Sequence, residues 1–279
     1  MAIQAEYSTS VTEMLARTAD EFFIIAGPCV VESRDMLIEV AETLVPLAKK
    51  NNIPLIFKAS YRKANRSSQG SFQGIGDRAA LEDLAEIRLR YGVPILTDFH
   101  TAEEARTAAE YVDVLQVPAF LSRQTDILES AAQTGKVVNI KKGQFMAPDD
   151  MKKAADKVRH AGNNSIWLTE RGTSFGYHDL VVDYRGLVTM RETGYPVIYD
   201  ATHSVQQPSI GSQSGGQPQF IPALARAAVA VGVQGIFFET HPNPAQAKSD
   251  SATQLPLSKV PYFLAELIAV RRAVEAIHG

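Results

Sequence analysis

The sequence contains a single cysteine, Cys29, so no disulfide can form within the chain. No apolar run approaches the roughly 20 residues that a membrane-spanning helix needs. The first residues do not pair a basic region with an apolar core and a small-residue cleavage site, as a secretion signal would. From these absences we expect a reducing, cytoplasmic location.

The chain also lacks an excess of one charge. It has 28 Lys and Arg against 31 Asp and Glu, a formal net charge of -3, which does not favour general nucleic-acid binding. No Walker-type phosphate loop or internal repeat is present. Gly74, Gly76 and Ala79 match a dinucleotide fingerprint, but no apolar strand precedes them as that fold requires.

What is present is a regular alternation of short apolar runs and helix-sized segments. The apolar runs are residues 22–31, 54–60, 94–99, 114–119, 137–141, 165–170, 196–201 and 235–239. Helical patterns between or after them include residues 35–50, 78–91, 102–111, 149–160, 222–231 and 261–277. Parallel strands need crossovers of this length, so the pattern predicts an α/β fold, a (β/α)8 TIM barrel. We expect one domain over residues 1–279, with a short N-terminal extension of about 20 residues; an open doubly wound sheet is the alternative.

Almost every apolar run ends in a side chain capable of chemistry. These are Cys29, Lys58 with Ser60, Asp98 with His100, Gln116, Lys141, Arg171, His203, and Glu239 with His241. In a barrel the carboxyl ends of the strands meet at one face, where active sites are built. The recurrence therefore favours the barrel and predicts the position of its site.

The stretch of residues 57–71 has the composition of an anion site. Its cations are Lys58, Lys63 and Arg66, among the hydroxyl and amide groups of Ser60, Asn65, Ser67 and Ser68. Such groups neutralise phosphate or carboxylate and donate directional hydrogen bonds to it. Composition alone leaves a solvated basic loop as an equal alternative.

Cys29, His203, Glu239 and Asp250 supply a thiolate, an imidazole and two carboxylates, a mixture that suits a divalent transition metal. Their spacing alone does not identify a metal site. Taken singly, Cys29 reads as a small buried hydrophobe, His203 as a hydrogen-bonded loop residue and Asp250 as a solvated carboxylate. Two loops rich in Gly, Pro, Ser and Gln, residues 204–219 and 242–254, follow late strands and are expected to be lids or disordered segments.

Several motifs together resemble one enzyme family. They are F-K-A-S at 57–60 followed by K-A-N-R-S-S at 63–68, A-G-P-C at 26–29, D-A-T-H-S at 200–204, F-F-E-T-H at 237–241 and K-S-D at 248–250. The chain resembles the metal-dependent branch of the 3-deoxy-D-manno-octulosonate 8-phosphate synthases, the enzymes that condense phosphoenolpyruvate with arabinose 5-phosphate in lipopolysaccharide-type Kdo biosynthesis. The metal-independent branch has asparagine at the cysteine position, so Cys29 decides the branch.

The resemblance implies a role for each candidate residue. The ligands of a divalent ion, Fe2+, Mn2+, Co2+ or Zn2+, would be Cys29, His203, Glu239 and Asp250. The catalytic residues would be Cys29, His203, Asp250 and Lys63, with His203 or Asp250 relaying a proton. Phosphoenolpyruvate would be held by Lys141 and Arg171 with Lys63, Ser60 and Lys58, and the sugar phosphate by Asn65, Arg66 and Ser67. Asp98 and Gln116 would contact substrate or its surroundings.

Within P-A-F-L-S-R-Q at 118–124, Arg123 would reach the site of a neighbouring subunit, which implies a homo-oligomer, expected to be a tetramer. Three other functions stay open. A related synthase uses erythrose 4-phosphate, but carries K-P-R-T-S where this chain has K-A-N-R-S at 63–67. The others are a Schiff-base aldolase with Lys141 as nucleophile and a phosphosugar-binding regulatory barrel without turnover.

Overall fold

The computed structural model describes residues 2–64, 71–208 and 215–278. Eight parallel strands form a closed sheet, since the last of them pairs with the first from Phe23↔Gly235 to Gly27↔Glu239. The strands are β1 Phe23–Gly27, β2 Leu55–Lys58, β3 Ile95–Asp98, β4 Val114–Val117, β5 Val137–Lys141, β6 Ile166–Glu170, β7 Val197–Asp200 and β8 Gly235–His241. The closure confirms the predicted (β/α)8 barrel and excludes the alternative prediction of an open doubly wound sheet.

A helix follows each strand, as the alternation of apolar runs predicts. After the N-terminal helix α1, Ala2–Arg17, these are α2 Arg34–Lys50, α3 Asp77–Tyr91, α4 Ala102–Ala109, α5 Thr125–Gln133, α6 Asp150–His160, α7 Tyr184–Arg191, α8 Ile221–Val231 and α9 Val260–His278. None of the helices in the described part of the chain is long and apolar enough to cross a membrane.

Alternate residues of each strand belong to two separate cores, which explains why the strands read as continuous apolar runs. Phe23, Ile25 and Phe237 are fully buried in the barrel interior, while Ile24 and Ala26 face the helices. Side chains fill the interior, so the barrel is a packed core and not a pore.

The N-terminal helix belongs to this packing. Leu15 contacts the interior core beside Val137, the first residue of β5, and Val11 is buried. The helix therefore covers the amino-terminal end of the barrel. The sequence predicts only an extension here, and whether it counts as part of one domain stays a prediction.

Short irregular elements follow the later strands at the opposite end. Thr173–Ser174 pairs with Leu180–Val181, and Gln206–Gln207 pairs with Gly215–Gly216, both antiparallel. Leu255–Pro256 pairs with Thr240 and His241, which extends β8 two residues beyond the predicted end at Glu239. The loop of residues 242–254 thus begins and ends in hydrogen-bonded strand. Its proposed lid motion, and that of residues 204–219, stays a prediction.

Candidate active site

The first two strands end close together because residue 27 is a glycine. A Cβ atom at Gly27 would lie 2.0 Å from the carbonyl oxygen of Lys58, which no other residue could tolerate. This approach lets the Lys58 ammonium donate to the carbonyl oxygen of Cys29 at 3.0 Å, and the Ser60 amide donate to the same oxygen at 3.2 Å. The glycine of A-G-P-C therefore joins the Cys29 loop to the Lys58 strand.

Cys29, Glu239 and Asp250 form a cluster in which one ligand atom from each lies within 4.8 Å of the others. The Cys29 thiol lies 3.3 Å from Asp250 Oδ2 and 3.0 Å from Ser249 Oγ. Burial, followed by the negative charges of Asp250 and Glu239, raises the pKa of the thiol well above its ordinary value. Three of the four predicted metal ligands are thus brought together.

His203, the fourth predicted ligand, adjoins this group of three. Its Nε2 lies 3.6 Å from Glu239 Oε1 and 3.6 Å from Asp250 Oδ2, while its Nδ1 lies 2.9 Å from Asp200 Oδ2. We assign the hydrogen to Nδ1, since Asp200 can accept it, so that the Nε2 lone pair faces the two carboxylates. A carboxylate behind an imidazole in this way is typical of metal-ligating histidines.

The donor set fits a divalent metal. Two ligands of one ion can be at most about 4.6 Å apart when the bonds are about 2.0–2.3 Å long, close to the spacing within the cluster. Glu239 Oε2 is buried and has no hydrogen-bond partner among the described residues. A buried oxygen of this kind destabilises the folded state unless a ligand binds it. A soft sulfur beside imidazole and carboxylate favours Fe, Co, Zn or Mn over Mg or Ca.

Two buried lysines neutralise acidic groups of the site. Lys58 forms an ion pair with Glu239 Oε1, and Lys141 donates to Asp200 Oδ2 at 2.6 Å while lying over the Phe237 ring at 3.8 Å from its centroid. Burial lowers the pKa of Lys141, against the opposing effect of Asp200. Burial also raises the pKa of Asp200, but His203 and Lys141 lower it overall, so Asp200 stays ionised.

Lys63 adds a further positive charge next to the same cluster. Burial lowers its pKa, but the neighbouring groups Cys29, Asp98, Glu239 and Asp250 raise it well above the ordinary value overall. The ammonium is therefore charged at neutral pH, in an acidic environment and at the start of the stretch that the sequence predicts to bind anions.

Two predicted substrate contacts have buried donors with no partner. Ser60 Oγ and Arg171 Nη1 are buried and find no hydrogen-bond partner in the described chain, although Arg171 Nη2 donates to Gln206 Oε1 at 3.2 Å. Burial lowers the pKa of Arg171, but a guanidinium stays charged in proteins. An unpartnered buried guanidinium nitrogen and hydroxyl are groups that an anionic ligand would satisfy.

Asp98 and Gln116 lie at neighbouring strand ends but differ in their freedom to bind a substrate. Asp98 Oδ1 is buried and has no hydrogen-bond partner in the part of the chain that the structure describes, and Oδ2 lies 3.5 Å from His100 Nε2. Gln116 Oε1 accepts from Asn139 Nδ2 at 3.1 Å, and Asn139 Oδ1 accepts from Thr169 at 2.6 Å. Gln116 is thus held in a fixed orientation by a network inside the barrel.

Four other predicted site residues are not placed in this cluster. The Arg123 side chain is exposed, and its charge acts on Asp150 and Lys153 near the start of α6. Asn65, Arg66 and Ser67 lie outside the described residues.

The structure adds two residues that the sequence interpretation left out of the site. Asp200 accepts from the amide nitrogens of Thr202 and His203 through Oδ1 as well as contacting Lys141 and His203 through Oδ2. Thr202 Oγ1 in turn accepts from the Glu239 amide at 3.2 Å. Asp200 ends an apolar strand within D-A-T-H-S, and that position was the signal that could have identified it.

Glu104, at the start of α4, is a third addition. Its carboxylate accepts from the Tyr61 hydroxyl at 2.6 Å, from the His100 amide at 2.9 Å and from Arg62. Burial alone would raise the pKa of Glu104, but these hydrogen bonds and the charge of Arg62 lower it overall. Glu104 thereby connects residues 61 and 62, just before Lys63, to the loop that carries His100.

We expect Glu104→Gln to lower the free energy of unfolding by about 1–3 kcal/mol at pH 7, because it removes an ionised acceptor of several bonds. A carboxyl whose pKa is lower in the folded state stabilises the fold above its unfolded pKa, and this stabilisation is lost as the pH falls through the folded value. The difference from wild type should therefore shrink below about pH 4. Urea unfolding at pH 7 and at about pH 3, below the unfolded value, measures it, with the exposed neighbour Glu103→Gln as control. A difference of equal size at both pH values would contradict the assignment.

A closed parallel barrel with buried ionisable groups at the carboxyl ends of its strands defines the class as a (β/α)8-barrel enzyme. The chain belongs to the DAHP synthetase I family, whose sequence model matches residues 5–276. The match extends further towards the N terminus than the motifs, which begin near Phe22.

Three curated relatives of similar length within this family carry the same name. The chain is 54% identical over 257 residues to a 2-dehydro-3-deoxyphosphooctonate aldolase of Azoarcus sp. (strain BH72), which covers 91% of this chain and 92% of the relative. It is 55% identical over 258 residues to the protein of the same name from Koribacter versatilis (strain Ellin345), with the same coverage. The relative from Ralstonia pickettii (strain 12J) is 52% identical over 263 residues, 92% of this chain and 91% of the relative.

Proposed function

We propose that this enzyme condenses phosphoenolpyruvate with D-arabinose 5-phosphate and water, giving 3-deoxy-D-manno-octulosonate 8-phosphate and inorganic phosphate. The name of the relatives is a synonym of the 3-deoxy-D-manno-octulosonate 8-phosphate synthases that the motifs resemble. The single observation that carries the proposal is the pair of buried unpartnered donors, Ser60 Oγ and Arg171 Nη1, at the same barrel face as the Cys29 cluster.

The charges of the substrates explain why such a site needs fixed cations. Phosphoenolpyruvate brings a phosphate and a carboxylate, and the sugar brings a second phosphate. Two like charges 4 Å apart repel by about 4 kcal/mol at the effective dielectric constant near a protein surface. In this proposal Lys63, Lys141 and Arg171 hold phosphoenolpyruvate with Ser60, and Lys58 contributes charge from its pair with Glu239.

The fixed orientation of these groups supports their use in positioning. Lys141 is held between Asp200 and the Phe237 ring, so its ammonium is oriented before a substrate arrives. His203 keeps a proton on Nδ1 against Asp200, and Asp98 presents a buried carboxylate oxygen without a partner. Asn65, Arg66 and Ser67 are proposed for the sugar phosphate and Gln116 for a fixed contact with substrate, both on the resemblance.

Cys29, His203, Glu239 and Asp250 are proposed to hold the divalent ion, Fe2+, Mn2+, Co2+ or Zn2+. When bound, the ion supplies Lewis-acid polarisation to an oxygen of a reactant. The overall reaction joins C3 of phosphoenolpyruvate to the sugar aldehyde, adds water at C2 and releases phosphate by breaking its C–O bond. His203 and Asp250 are the candidates for moving a proton in these steps.

The remaining expectations also belong to the proposal. Arg123 is exposed, as a residue reaching a neighbouring subunit would be in an isolated chain, and we propose a homotetramer in which it completes the partner's site. A cytoplasmic location, for Kdo biosynthesis, stays a prediction.

We expect phosphate release from phosphoenolpyruvate to be fast with arabinose 5-phosphate and slow with erythrose 4-phosphate. Chelation should abolish it, and Fe2+, Mn2+, Co2+ or Zn2+ should restore it to different extents, because a mixed sulfur, nitrogen and oxygen site binds several of these ions. A coupled phosphate assay with and without chelator measures both effects.

Two outcomes would contradict the proposal. Preference for erythrose 4-phosphate would show that the chain has the activity of the related synthase. Full activity in protein shown by elemental analysis to be metal-free would show that the reaction needs no metal. Borohydride added with substrate is the control for the Schiff-base alternative, which requires a covalent adduct on Lys141. Burial lowers the pKa of Lys141, while its contact with Asp200 at 2.6 Å stabilises the protonated amine, so the borohydride control decides between the two functions.

A further inference from the structure

Two loops from opposite ends of the sequence meet beside the Cys29 cluster. We call residues 28–33, after β1, the first loop, and residues 242–254, after β8, the last loop. Gln254 joins them from the inside, since its Oε1 accepts from the Cys29 amide at 3.2 Å and its Nε2 donates to the Ser249 carbonyl oxygen at 2.8 Å. The residue before Asp250 is thereby tied to Cys29.

Glu32 joins the same two loops from the outside. Its Oε1 accepts from the Lys248 amide at 2.8 Å, and the same oxygen lies 3.6 Å from His241 Nε2 at the end of β8. The Glu32 side chain is 10% exposed, although its hydrogen bond with the Lys248 amide lies at the protein surface. Burial alone would raise the pKa of Glu32, but its contacts with His241 and the Lys248 amide lower it overall.

Glu32 faces His241, a buried histidine at the end of β8, and one ring nitrogen of His241 is free of hydrogen bonds within the described residues. His241 Nδ1 accepts from the Asn243 amide at 3.0 Å, so we assign the ring hydrogen to Nε2. His241 Nε2 is buried and has no hydrogen-bond partner among the described residues. The Glu32 carboxylate is the charged acceptor that faces it.

The backbone at Asp250 needs such support. Asp250 has φ of +45°, in the left-handed region that residues other than glycine seldom adopt. A residue in this region costs of order 1–3 kcal/mol and keeps its conformation only when its surroundings fix it. Gln254 fixes Ser249 and Glu32 fixes Lys248, the two residues directly before Asp250.

We propose that Glu32 is a positioning residue that holds the last loop against the first, so that Asp250 stays beside Cys29. The inference rests on the proposed function in one respect, that Cys29 and Asp250 share a metal ion. Lys248 extends the connection to the loop after β2, because its ammonium lies 4.6 Å from the centroid of the Phe72 ring. Loss of Glu32 would therefore remove the hydrogen bond that holds the outer part of the last loop to the first, while the contacts of Cys29 with Ser249, Asp250 and Gln254 remain.

The test compares Glu32→Ala and Glu32→Gln with Glu39→Ala, an exposed carboxylate in the neighbouring helix α2. The first measurement is amide hydrogen exchange in residues 242–254 of metal-free protein. We expect Glu32→Ala to speed exchange in the last loop about tenfold or more, the size that loss of one charge-assisted hydrogen bond gives. Glu32→Gln keeps an oxygen that can accept from Lys248 and should recover most of the protection, while Glu39→Ala should match wild type.

The second measurement is the dissociation constant for Mn2+ by equilibrium dialysis. Glu32→Ala should weaken binding about tenfold, and Glu32→Gln should lie between it and wild type. Unchanged exchange in the last loop of Glu32→Ala would overturn the proposal, as would faster exchange spread evenly over the whole barrel. If the wild-type protein binds no Mn2+, Fe2+, Co2+ or Zn2+, the metal site of the proposed function is wrong. The exchange comparison in metal-free protein would still decide the role of Glu32.

Discussion

Cys29→Ala is expected to remove both the bound metal and the activity. The thiol is the only sulfur in the cluster, and its loss leaves three harder ligands of which His203 stands 3.6 Å from the carboxylate oxygens. Because Lewis-acid catalysis by a bound ion is worth several kcal/mol, turnover should fall at least about a hundredfold. Elemental analysis of the purified variant and the phosphate-release assay measure the two losses.

Cys29→Asn separates this interpretation from a purely structural one. The metal-independent enzymes that the motifs resemble carry asparagine at this position, so Cys29→Asn should keep measurable turnover that no longer responds to chelator. If Cys29 were only a small buried hydrophobe, alanine would be tolerated and the polar asparagine would be harmful. The two interpretations rank the variants in opposite order. An alanine variant that keeps its metal and full rate would exclude Cys29 from the site.

Lys58→Met should destabilise the metal-free protein by about 3–5 kcal/mol, because it leaves the Glu239 carboxylate buried without its ion-pair partner. Lys58 and Glu239 are 1% and 0% exposed, so water cannot replace the lost contact. Denaturant unfolding of metal-free wild type and variant measures the change. As a matched control, Lys153→Met breaks a surface pair with Asp150, whose side chains are 81% and 39% exposed, and should leave stability nearly unchanged because water screens the pair.

Added metal should return part of this lost stability if Glu239 is a ligand. An ion that binds only the folded state stabilises it, and here it would also supply the positive charge that Lys58→Met removes. Glu239→Gln should lose comparable stability and recover little with metal, since it weakens the ligand itself. Equal recovery in both variants would show that the ion binds without Glu239.

The sequence predicts the barrel well because both faces of a parallel strand are buried. The run at residues 137–141 coincides with β5, six of the other runs each contain their strand, and the run at residues 235–239 stops two residues before the end of β8. The largest difference at a strand end is in the first run, which continues four residues beyond β1, whereas β8 extends past its predicted end because pairing with Leu255 carries the strand on to His241. That pairing joins residues 15 apart through a loop, and no local pattern encodes it.

The site could be predicted only as a set of strand ends. Convergence at one face follows from the fold, but the partner of each charged group does not. Lys58 with Glu239 and Lys141 with Asp200 are separated by 181 and 59 residues, and their pairing depends on the barrel's closure and register. Glu104 and Glu32 were missed because each accepts a hydrogen bond from a residue far away in the sequence, Tyr61 and Lys248 respectively, and such contacts are not visible in composition or spacing.

Helix α1 covers the amino-terminal end of the barrel, and side chains fill its interior, so the Cys29 cluster is approached from the carboxyl ends of the strands. Cys29 and Glu239 are 1% and 0% exposed, while Asp250 on the last loop has 18% of its side chain exposed. Two of the three residues of the cluster are therefore buried beneath the protein surface, and the third lies closer to solvent. An ion held by ligands that are almost fully buried would exchange slowly with solvent, whereas reactants held nearer the surface exchange more freely. We therefore expect the ion to be resident across many turnovers while the two phosphorylated reactants and the products exchange above it.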